Sequence, residues 1–251
     1  MNVAEFRRMY EAEERQWWYV GMRRLTDRLL RPRLQSESGR LPLLLDAGCG
    51  TGANLLHFRD SARAVGIDLS PDAVFLCAGR GADVVRGSVL SLPFVNGIFD
   101  CVTSFDVLYH SWVKDDAVAV AELVRVLAPG GALFVRVPAL RFLFGAHDVE
   151  VQTRHRYTAR ELHRLLTGAG LDVSRLTYCN SLLFPLLLLR RTLDRWTGRE
   201  GSDVGFLPGP LEALFRALLG LEATLVGWGL RFPVGASVVA LARKPAGVER
   251  S

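Results

Sequence analysis

Four side chains able to do acid–base or binding chemistry lie in a stretch of about twenty residues that follows Pro138. His147, Asp148, His155 and Tyr157 are all in this stretch. A histidine titrates near neutral pH and can take a proton from a reacting group, so His147 and His155 are candidate general bases. Asp148 and Tyr157 are candidate substrate contacts. The alternative is that His147 and Asp148 only hydrogen-bond the loop into shape.

A third candidate base and an aromatic triplet lie elsewhere in the chain. His110 follows an apolar segment in Tyr109-His110, where it either meets a substrate or caps the next helix. Trp17, Trp18 and Tyr19 either pack as helix core or close over a bound ligand. In the second case they would exclude water and offer ring faces to a cation.

A glycine-rich segment, LDAGCGTGAN, predicts a ligand-binding turn between a strand and a helix. Gly48, Gly50 and Gly52 let the backbone approach a ligand closely. This motif alone also fits a dinucleotide site or a bare structural turn. Asp46 disfavours a pyrophosphate and favours a ligand with an ammonium and a sulfonium. Asp68, twenty residues after Gly48, can accept hydrogen bonds from both hydroxyls of a ribose.

The elements that must position these residues follow from apolar patterning between residues 41 and 138. Five short segments are continuously apolar, and they are LPLLLDAG, ARAVGIDL, ADVVRGSV, FDCVTSFD and GALFVRVP. Such segments are typical of parallel strands that helices cover on both faces. Helices are predicted near 53–60, 71–80 and 113–127. The pattern indicates a doubly wound α/β domain.

The two ends of the chain add helices to this domain. Apolar residues at steps of three and four predict a helical cap over residues 1–40. Thr158 and Glu161 form a capping box that starts a helix, and 171–180 and 236–243 predict two further strands.

Residues 181–234 form an insertion, the most apolar part of the chain. We expect at least two helices there, lying beside the mouth through which an acceptor substrate would enter the site, and we expect them to bury their leucine stripe. The stripe is Leu211, Leu214, Phe215, Leu218, Leu219, Leu225 and Val226. Packing on the sheet, a dimer surface, an acceptor wall and a bilayer interface all fit its composition.

Composition excludes several classes of protein. The chain has 251 residues, of which 49% are hydrophobic and 23% charged, as in an ordinary globular protein. Its four cysteines form no C-x-x-C pair, so we expect reduced core thiols and no metal site. The first twenty residues carry four glutamates and three arginines, and no apolar run is long enough for a bilayer span. The basic residues outnumber the acidic ones, but they do not form a row along one face with aromatic residues between them. We therefore expect no nucleic-acid partner.

The ordered motifs resemble those of the class I S-adenosylmethionine-dependent methyltransferases. LLDAGCGTG and VGIDLS resemble the first two motifs, VRGSVLSLPF the adenine-contacting segment, and FDCVTSFDVLYH the fourth-strand motif. ELVRVLAPGGALFVRVP is similar to the helix, turn and fifth strand that follow. The resemblance implies a Rossmann-like sheet, mostly parallel with an antiparallel last strand, in a methyltransferase domain over residues 41–251. It implies S-adenosylmethionine as cofactor, with contacts from Asp46, Gly48, Gly50, Gly52, Asp68, Leu69, Ser88, Val89 and Phe105.

One position departs from the family pattern, and the ends resemble a narrower bacterial subgroup. The family often has an acid at Ser88, so adenine binding would depend on the backbone of 87–89. The subgroup signatures resemble the Trp-Trp-Tyr triplet, the His147 and His155 segments, and the segment from Asn180 to Pro185. They identify no acceptor.

The resemblance therefore implies methyl transfer to an O, N or C atom of a small or lipid-linked acceptor. Alternatives are an NAD(P)-dependent oxidoreductase, which Asp46 and the Pro129-Gly130-Gly131 turn disfavour, and a non-catalytic S-adenosylmethionine-binding module. We expect a cytoplasmic protein. Peripheral contact with the inner membrane face and a homodimer stay open.

Overall fold

The computed structural model describes residues 3–35, 39–197 and 207–246, which form one seven-stranded sheet flanked by helices. The strand order is β3-β2-β1-β4-β5-β7-β6, and β7 runs antiparallel to both of its neighbours. The strands are β1 (Leu43–Ala47), β2 (Arg63–Asp68), β3 (Val84–Arg86), β4 (Phe99–Phe105), β5 (Leu127–Pro138), β6 (Asp172–Cys179) and β7 (Ser237–Arg243). The predicted Rossmann-like sheet is confirmed, including its antiparallel last strand.

The helices follow the predicted pattern, and their caps explain where several begin. The helices are α1 (Val3–Ala12), α2 (Trp17–Leu30), α3 (Ala53–Phe58), α4 (Pro71–Gly79), α5 (Asp116–Val126), α6 (Ala146–Glu150), α7 (Ala159–Gly168), α8 (Phe184–Thr197) and α9 (Gly209–Gly227). Asp115 accepts hydrogen bonds from two backbone N–H groups at the start of α5. Thr158 and Glu161 make the predicted capping box at α7.

The central strands are buried because helices cover both faces of the sheet. In β4, six of the seven residues are buried, as a continuously apolar parallel strand requires. All four cysteines are buried free thiols. The carboxyl ends of β1, β2, β4 and β5 meet at one edge, where such sheets bind ligands.

The insertion holds the N-terminal helices in place. Helix α9 packs closely on α2, since a Cβ added to Gly21 would lie 2.4 Å from Leu219 Cδ1. The Glu212 carboxylate accepts a hydrogen bond from the Trp17 backbone N–H at the start of α2. The ring of Phe215 meets the Trp17 indole edge-on at 5.2 Å. The insertion thus fixes the start of the helix that carries the aromatic triplet.

The expected burial of the leucine stripe is right for one part and wrong for another. Leu219 and Val226 are buried against α2, but Leu211 and Leu214 are exposed. The apolar residues of α9 lie on two faces of the helix, and only one of these faces packs against α2. No helix in the described ranges combines the length and apolar character that crossing a bilayer requires.

Candidate functional site

A cavity of about 450 Å³ opens at the carboxyl edge of the sheet. One wall is the glycine loop after β1 together with the end of β2. The opposite walls come from α1, α2, the loop after β4, the loop after β5, and α8. The cavity is therefore continuous from the glycine loop to the insertion.

The glycine loop presents backbone to the cavity. Gly48, Gly50 and Gly52 have φ of 86°, 54° and 85°, a region that L side chains rarely adopt. A Cβ at Gly48 would lie 2.2 Å from Val107 Cγ2, so no side chain fits there. Gly48 and Gly50 line the cavity, whereas Gly52 is turned toward Cys77.

Asp68 lies beside this loop at the end of β2. Its carboxylate accepts hydrogen bonds from the backbone N–H groups of Gly50 at 3.0 Å and Ser70 at 2.9 Å. Burial raises the pKa of this carboxyl, and these N–H groups oppose the rise. Asp68 and the neighbouring Leu69 both line the cavity. An acceptor at this position can receive the hydroxyls of a ribose.

Helix α1 covers the glycine loop, which the sequence did not indicate. A Cβ at Gly50 would lie 2.8 Å from Met9 Cε. The Glu13 carboxylate accepts a hydrogen bond from Thr51 and pairs with Arg80 at 3.1 Å. Burial raises the pKa of Glu13 to about 7. The first helix is therefore tied to the loop through a buried carboxyl.

Asp46 lies beneath the loop rather than at its mouth. The β1–β4 register pairs Asp46 with Thr103, whose hydroxyl donates a 2.8 Å hydrogen bond to Asp46 Oδ1. The side chain is buried and is not among the described residues that surround the cavity. Burial raises its pKa to about 7. Direct contact between Asp46 and a ligand's ammonium therefore has no support in the geometry.

The aromatic triplet lines the cavity opposite the glycine loop. Trp17, Trp18 and Tyr19 all contribute to the wall. The Arg136 guanidinium lies 4.8 Å from the centre of the Trp18 ring and pairs with Asp106 at 2.6 Å. Burial raises the pKa of the Tyr19 hydroxyl well above its usual range. The position of the triplet in the cavity wall is compatible with the predicted cover over a ligand.

The Arg136–Asp106 pair is a part of the site that sequence reasoning missed. Asp106 follows β4 and has φ of 55°, a left-handed conformation that is uncommon for a residue with a Cβ. Its backbone N–H donates to the Arg136 carbonyl. Phe105, a predicted cofactor contact, also lines the cavity, 5.2 Å below the same guanidinium. The signal available in sequence was an acid directly after a buried strand.

Among the histidines whose side chains the structure describes, His110 lines the cavity and the others do not. Its Nδ1 faces the Val151 carbonyl at 2.9 Å, and its ring stacks between Tyr109 at 4.1 Å and Trp112 at 5.5 Å. Burial lowers its pKa to about 4, against the opposing effect of backbone carbonyls. The ring is therefore uncharged at neutral pH.

The other two candidate bases, His155 and His147, have different surroundings. His155 packs edge-on against Tyr157 and faces Glu161 at 3.8 Å, and it is not among the described cavity residues. Tyr157 is buried, and its hydroxyl donates to Asp116 at 2.6 Å, so it too lies away from the cavity. The side chain of His147 lies outside the described residues.

Asp148 lines the cavity, but its oxygens are engaged by neighbouring groups. Arg156 donates to both carboxylate oxygens, at 2.8 and 3.0 Å, and the Gly145 N–H donates at 2.9 Å. The Asp148–Arg156 pair stabilises the conformation of the loop after β5. This structural role is the alternative that the sequence left open beside a substrate contact for Asp148. Arg156 also lines the cavity and donates to the Ala139 carbonyl.

The predicted adenine segment is set back from the cavity. Ser88 Oγ accepts the Leu90 N–H at 3.1 Å, and the Ser88 carbonyl accepts the Ser91 N–H. Val89 is buried in the core. Neither Ser88 nor Val89 is among the described residues of the cavity wall. Their role in adenine binding stays a prediction.

Comparison with known proteins places this geometry in a family. Residues 45–135 match the family described as "Methyltransferase domain". A probable S-adenosylmethionine-dependent methyltransferase of Mycolicibacterium smegmatis is 34% identical over 135 residues, 52% of each chain. The tRNA (carboxymethyluridine(34)-5-O)-methyltransferase of Arabidopsis thaliana is 34% identical over 96 residues, 38% of this chain and 24% of that protein. The chain thus spans about half or less of these relatives.

Solved structures show the same fold. A chain from the complex that contains the Haloferax volcanii Trm112 methyltransferase activator superposes with a TM-score of 0.62 and 20% identity, covering 99% of this chain and 96% of that one. Other chains of this fold were solved with S-adenosylhomocysteine or S-adenosylmethionine. Residues 45–135 therefore carry a methyltransferase domain, within a chain that has the fold of S-adenosylmethionine-dependent methyltransferases.

Proposed function

We propose that the protein transfers a methyl group from S-adenosylmethionine to an O, N or C atom of a small or lipid-linked acceptor. The observation that carries this proposal is the continuous cavity, with the glycine loop and Asp68 at one side and Trp18, Tyr109 and His110 at the other. We also propose a division into a cap, residues 1–40, and a methyltransferase domain, residues 41–251, with the helical insertion 181–234.

The residues around the glycine loop fit the cofactor. Gly48 and Gly50 present backbone to the cavity in conformations that L side chains rarely adopt, and Asp68 offers a carboxylate for ribose hydroxyls. Glu13 places a carboxyl group beside the glycine loop, where a pyrophosphate would need positive charge or N–H donors, and this disfavours a dinucleotide. When bound, S-adenosylmethionine supplies an electrophilic methyl group on a sulfonium.

The chain's own contribution to transfer is positioning and exclusion of water. Trp17, Trp18 and Tyr19 would cover the reacting groups, and their ring faces favour a nearby cation. His110 is the described histidine best placed to meet an acceptor because it lines the cavity, and its lowered pKa makes it a weak base at neutral pH. His147 stays a second candidate, and His155 is a weaker one because it lies away from the cavity.

The shape of the site favours a small or lipid-linked acceptor over tRNA. The far walls combine aromatic and apolar side chains from α2 and the loop after β4 with arginines from α8 and the loop after β5. The Arabidopsis relative, whose name gives a tRNA substrate, matches only 38% of this chain. We propose a cytoplasmic protein that contacts the inner membrane face peripherally and has no nucleic-acid partner.

Isotope transfer tests the reaction. Purified protein with methyl-labelled S-adenosylmethionine is offered a lipid extract, an aqueous metabolite extract and total tRNA in parallel. We expect labelled product in one of the first two, and we expect Asp68→Asn to reduce it at subsaturating cofactor. Label in tRNA alone would contradict the acceptor class. Cofactor binding without product in any fraction would favour the non-catalytic module.

A further inference from the structure

We propose that Asp106 binds the reacting group of the acceptor, and that this group carries an O–H or an N–H. The carboxylate oxygen Oδ1 of Asp106 accepts the hydrogen bond from that group. The inference rests on the proposed function, since it concerns the acceptor of the same cavity. It narrows that acceptor to a hydroxyl or an amine and excludes a carbon nucleophile.

Asp106 lies directly beside the part of the chain that touches the glycine loop. Its backbone N–H continues the β4–β5 ladder by donating to the Arg136 carbonyl at 2.8 Å. Its φ of 55° is left-handed, and uncommon backbone conformations of this kind cluster at binding and active sites. The next residue, Val107, packs on the loop, since a Cβ at Gly48 would lie 2.2 Å from Val107 Cγ2. Asp106 is therefore adjacent to the predicted cofactor position.

One oxygen of the Asp106 carboxylate is left for a ligand. Arg136 binds this carboxylate through Oδ2 alone, with Nε at 2.8 Å and Nη2 at 2.6 Å. Oδ1 accepts no hydrogen bond from the residues that the structure describes, and it is not one of their polar atoms that are buried without a partner. The Asp106 side chain is 22% exposed and lines the cavity. Oδ1 is therefore open to a ligand in the cavity.

Arg136 holds the Asp106 carboxylate in place. Its guanidinium lies 4.8 Å from the centre of the Trp18 ring and 5.2 Å from the centre of the Phe105 ring. The Arg136 side chain is only 9% exposed. A guanidinium that packs on two rings and pairs with one carboxylate oxygen restricts the direction of the other oxygen. Arg136 is therefore a positioning residue, and Asp106 is the residue that touches the acceptor.

Neither Asp148 nor His110 can take the same role. Both carboxylate oxygens of Asp148 are engaged, by Arg156 and by the Gly145 N–H. His110 lines the cavity, but burial lowers its pKa to about 4, so it is a weak base at neutral pH. Asp106 thus offers what these two neighbours lack, an unengaged carboxylate oxygen.

Two tyrosine rings keep the surroundings of Asp106 poor in water. Tyr19 and Tyr109 both line the cavity. Burial raises the pKa of both hydroxyls well above the usual range, and the nearby Asp106 carboxylate adds to the rise in each. Both hydroxyls therefore stay neutral. A hydrogen bond to a carboxylate is stronger in such surroundings than in water.

A carboxylate oxygen accepts hydrogen bonds and donates none, so it selects an acceptor that carries a proton. As the lone pair on O or N forms its bond to the methyl carbon, the carbon–sulfur bond breaks and its electron pair stays on sulfur. The O–H or N–H becomes more acidic as positive charge develops, so its hydrogen bond to Oδ1 strengthens in the transition state. The proton then passes through Oδ1 to water. A carbon nucleophile has no O–H or N–H at its reacting atom and gains nothing from this contact.

Transfer of a labelled methyl group to natural extracts tests the assignment before the acceptor is known. Wild-type protein and methyl-labelled S-adenosylmethionine are offered a lipid extract and an aqueous metabolite extract, and mass spectrometry locates the new methyl group. We expect an O-methyl or N-methyl product. Asp106→Asn should lower the rate of label transfer about 100- to 1,000-fold. Its affinity for S-adenosylhomocysteine in isothermal titration should change by at most about twofold.

Two further variants separate contact with the acceptor from a structural role. Asp116→Asn is the matched control, because Asp116 also pairs with an arginine, Arg154 at 3.3 Å, but is not among the described residues of the cavity wall. It should transfer label at the wild-type rate. Arg136→Gln breaks the same pair as Asp106→Asn but keeps the carboxylate, so it should lower the rate less.

Each contrary result has a distinct meaning. A carbon-methylated product overturns the narrowing to a hydroxyl or an amine. Equal losses in Asp106→Asn and Arg136→Gln overturn the contact, because the pair then acts only through structure. Weakened S-adenosylhomocysteine binding in Asp106→Asn places the residue at the cofactor instead. Label transfer by Asp106→Asn at the wild-type rate refutes this inference alone, whereas no labelled product from the wild type in either extract refutes the proposed function with it.

Discussion

The buried carboxyl of Glu13 should make stability depend on pH in a way that one substitution removes. Burial raises its pKa from 4.5 to about 7. Between these values the folded protein holds a proton that the unfolded chain has released. The free energy of unfolding therefore falls as pH rises through this window. The contribution of Glu13 to the free energy of unfolding is most favourable below pH 4.5 and is lost as pH passes about 7.

The size of the effect follows from the two pKa values. For a carboxyl at 4.5 when unfolded and about 7 when folded, the destabilisation is about 1 kcal/mol at about pH 5 and about 3 kcal/mol at about pH 8. Glu13→Gln carries no titrating proton. The unfolding free energy of the variant, relative to that of the wild type, should therefore rise by about 2 to 3 kcal/mol between those two pH values.

Urea unfolding of the apoprotein at both pH values measures the unfolding free energy of the wild type and of Glu13→Gln, and hence how their difference changes with pH. Glu11→Gln changes an exposed glutamate in the last turn of α1, two residues before Glu13; it is the matched control and should follow the wild type at both values. Parallel pH profiles for wild type and Glu13→Gln would refute the reasoning. They would mean that Glu13 is ionised in the folded state and that its pairing with Arg80 outweighs burial.

Two further substitutions test the cavity walls. The Glu222 carboxylate accepts the N–H groups of Asn180, Ser181 and Leu182 at 2.5 to 2.9 Å. Glu222→Gln should cost about 1 to 3 kcal/mol in urea unfolding, and an unchanged midpoint would contradict a role in holding the start of α8. His110→Gln should reduce turnover but spare S-adenosylhomocysteine affinity. Because the His110 pKa is about 4, kcat/KM should show no ionisation of this histidine near neutral pH; a neutral-pH inflection that His110→Gln abolishes would contradict that value.

The sheet was predictable because its signals are local. Continuous apolar segments, a glycine turn and helix caps each occupy fewer than about ten residues, and each biases the backbone directly. The capping box at Thr158 is one such case, and it formed as predicted. The loop glycines and Asp68 were likewise placed by their position after successive strands.

The residues that the sequence misplaced or missed depend on contacts that sequence spacing does not contain. Asp46 lies beneath the loop because the strand register sets it against Thr103, which is 57 residues away. Glu13 reaches the site because α1 lies over the glycine loop, and Arg136 because β5 neighbours β4. Leu214 is exposed because apolar periodicity does not say which face of α9 meets α2.

Isothermal titration with S-adenosylhomocysteine and with NAD tests the central claim most directly. The account predicts that the wild type binds the first and not the second. Asp68→Asn should weaken S-adenosylhomocysteine binding about ten- to 150-fold, since a charge-assisted pair of hydrogen bonds is lost. The control Asp60→Asn, which changes an exposed carboxylate after α3, should leave the affinity unchanged. NAD binding, or an Asp68→Asn affinity equal to that of the wild type, would contradict the account.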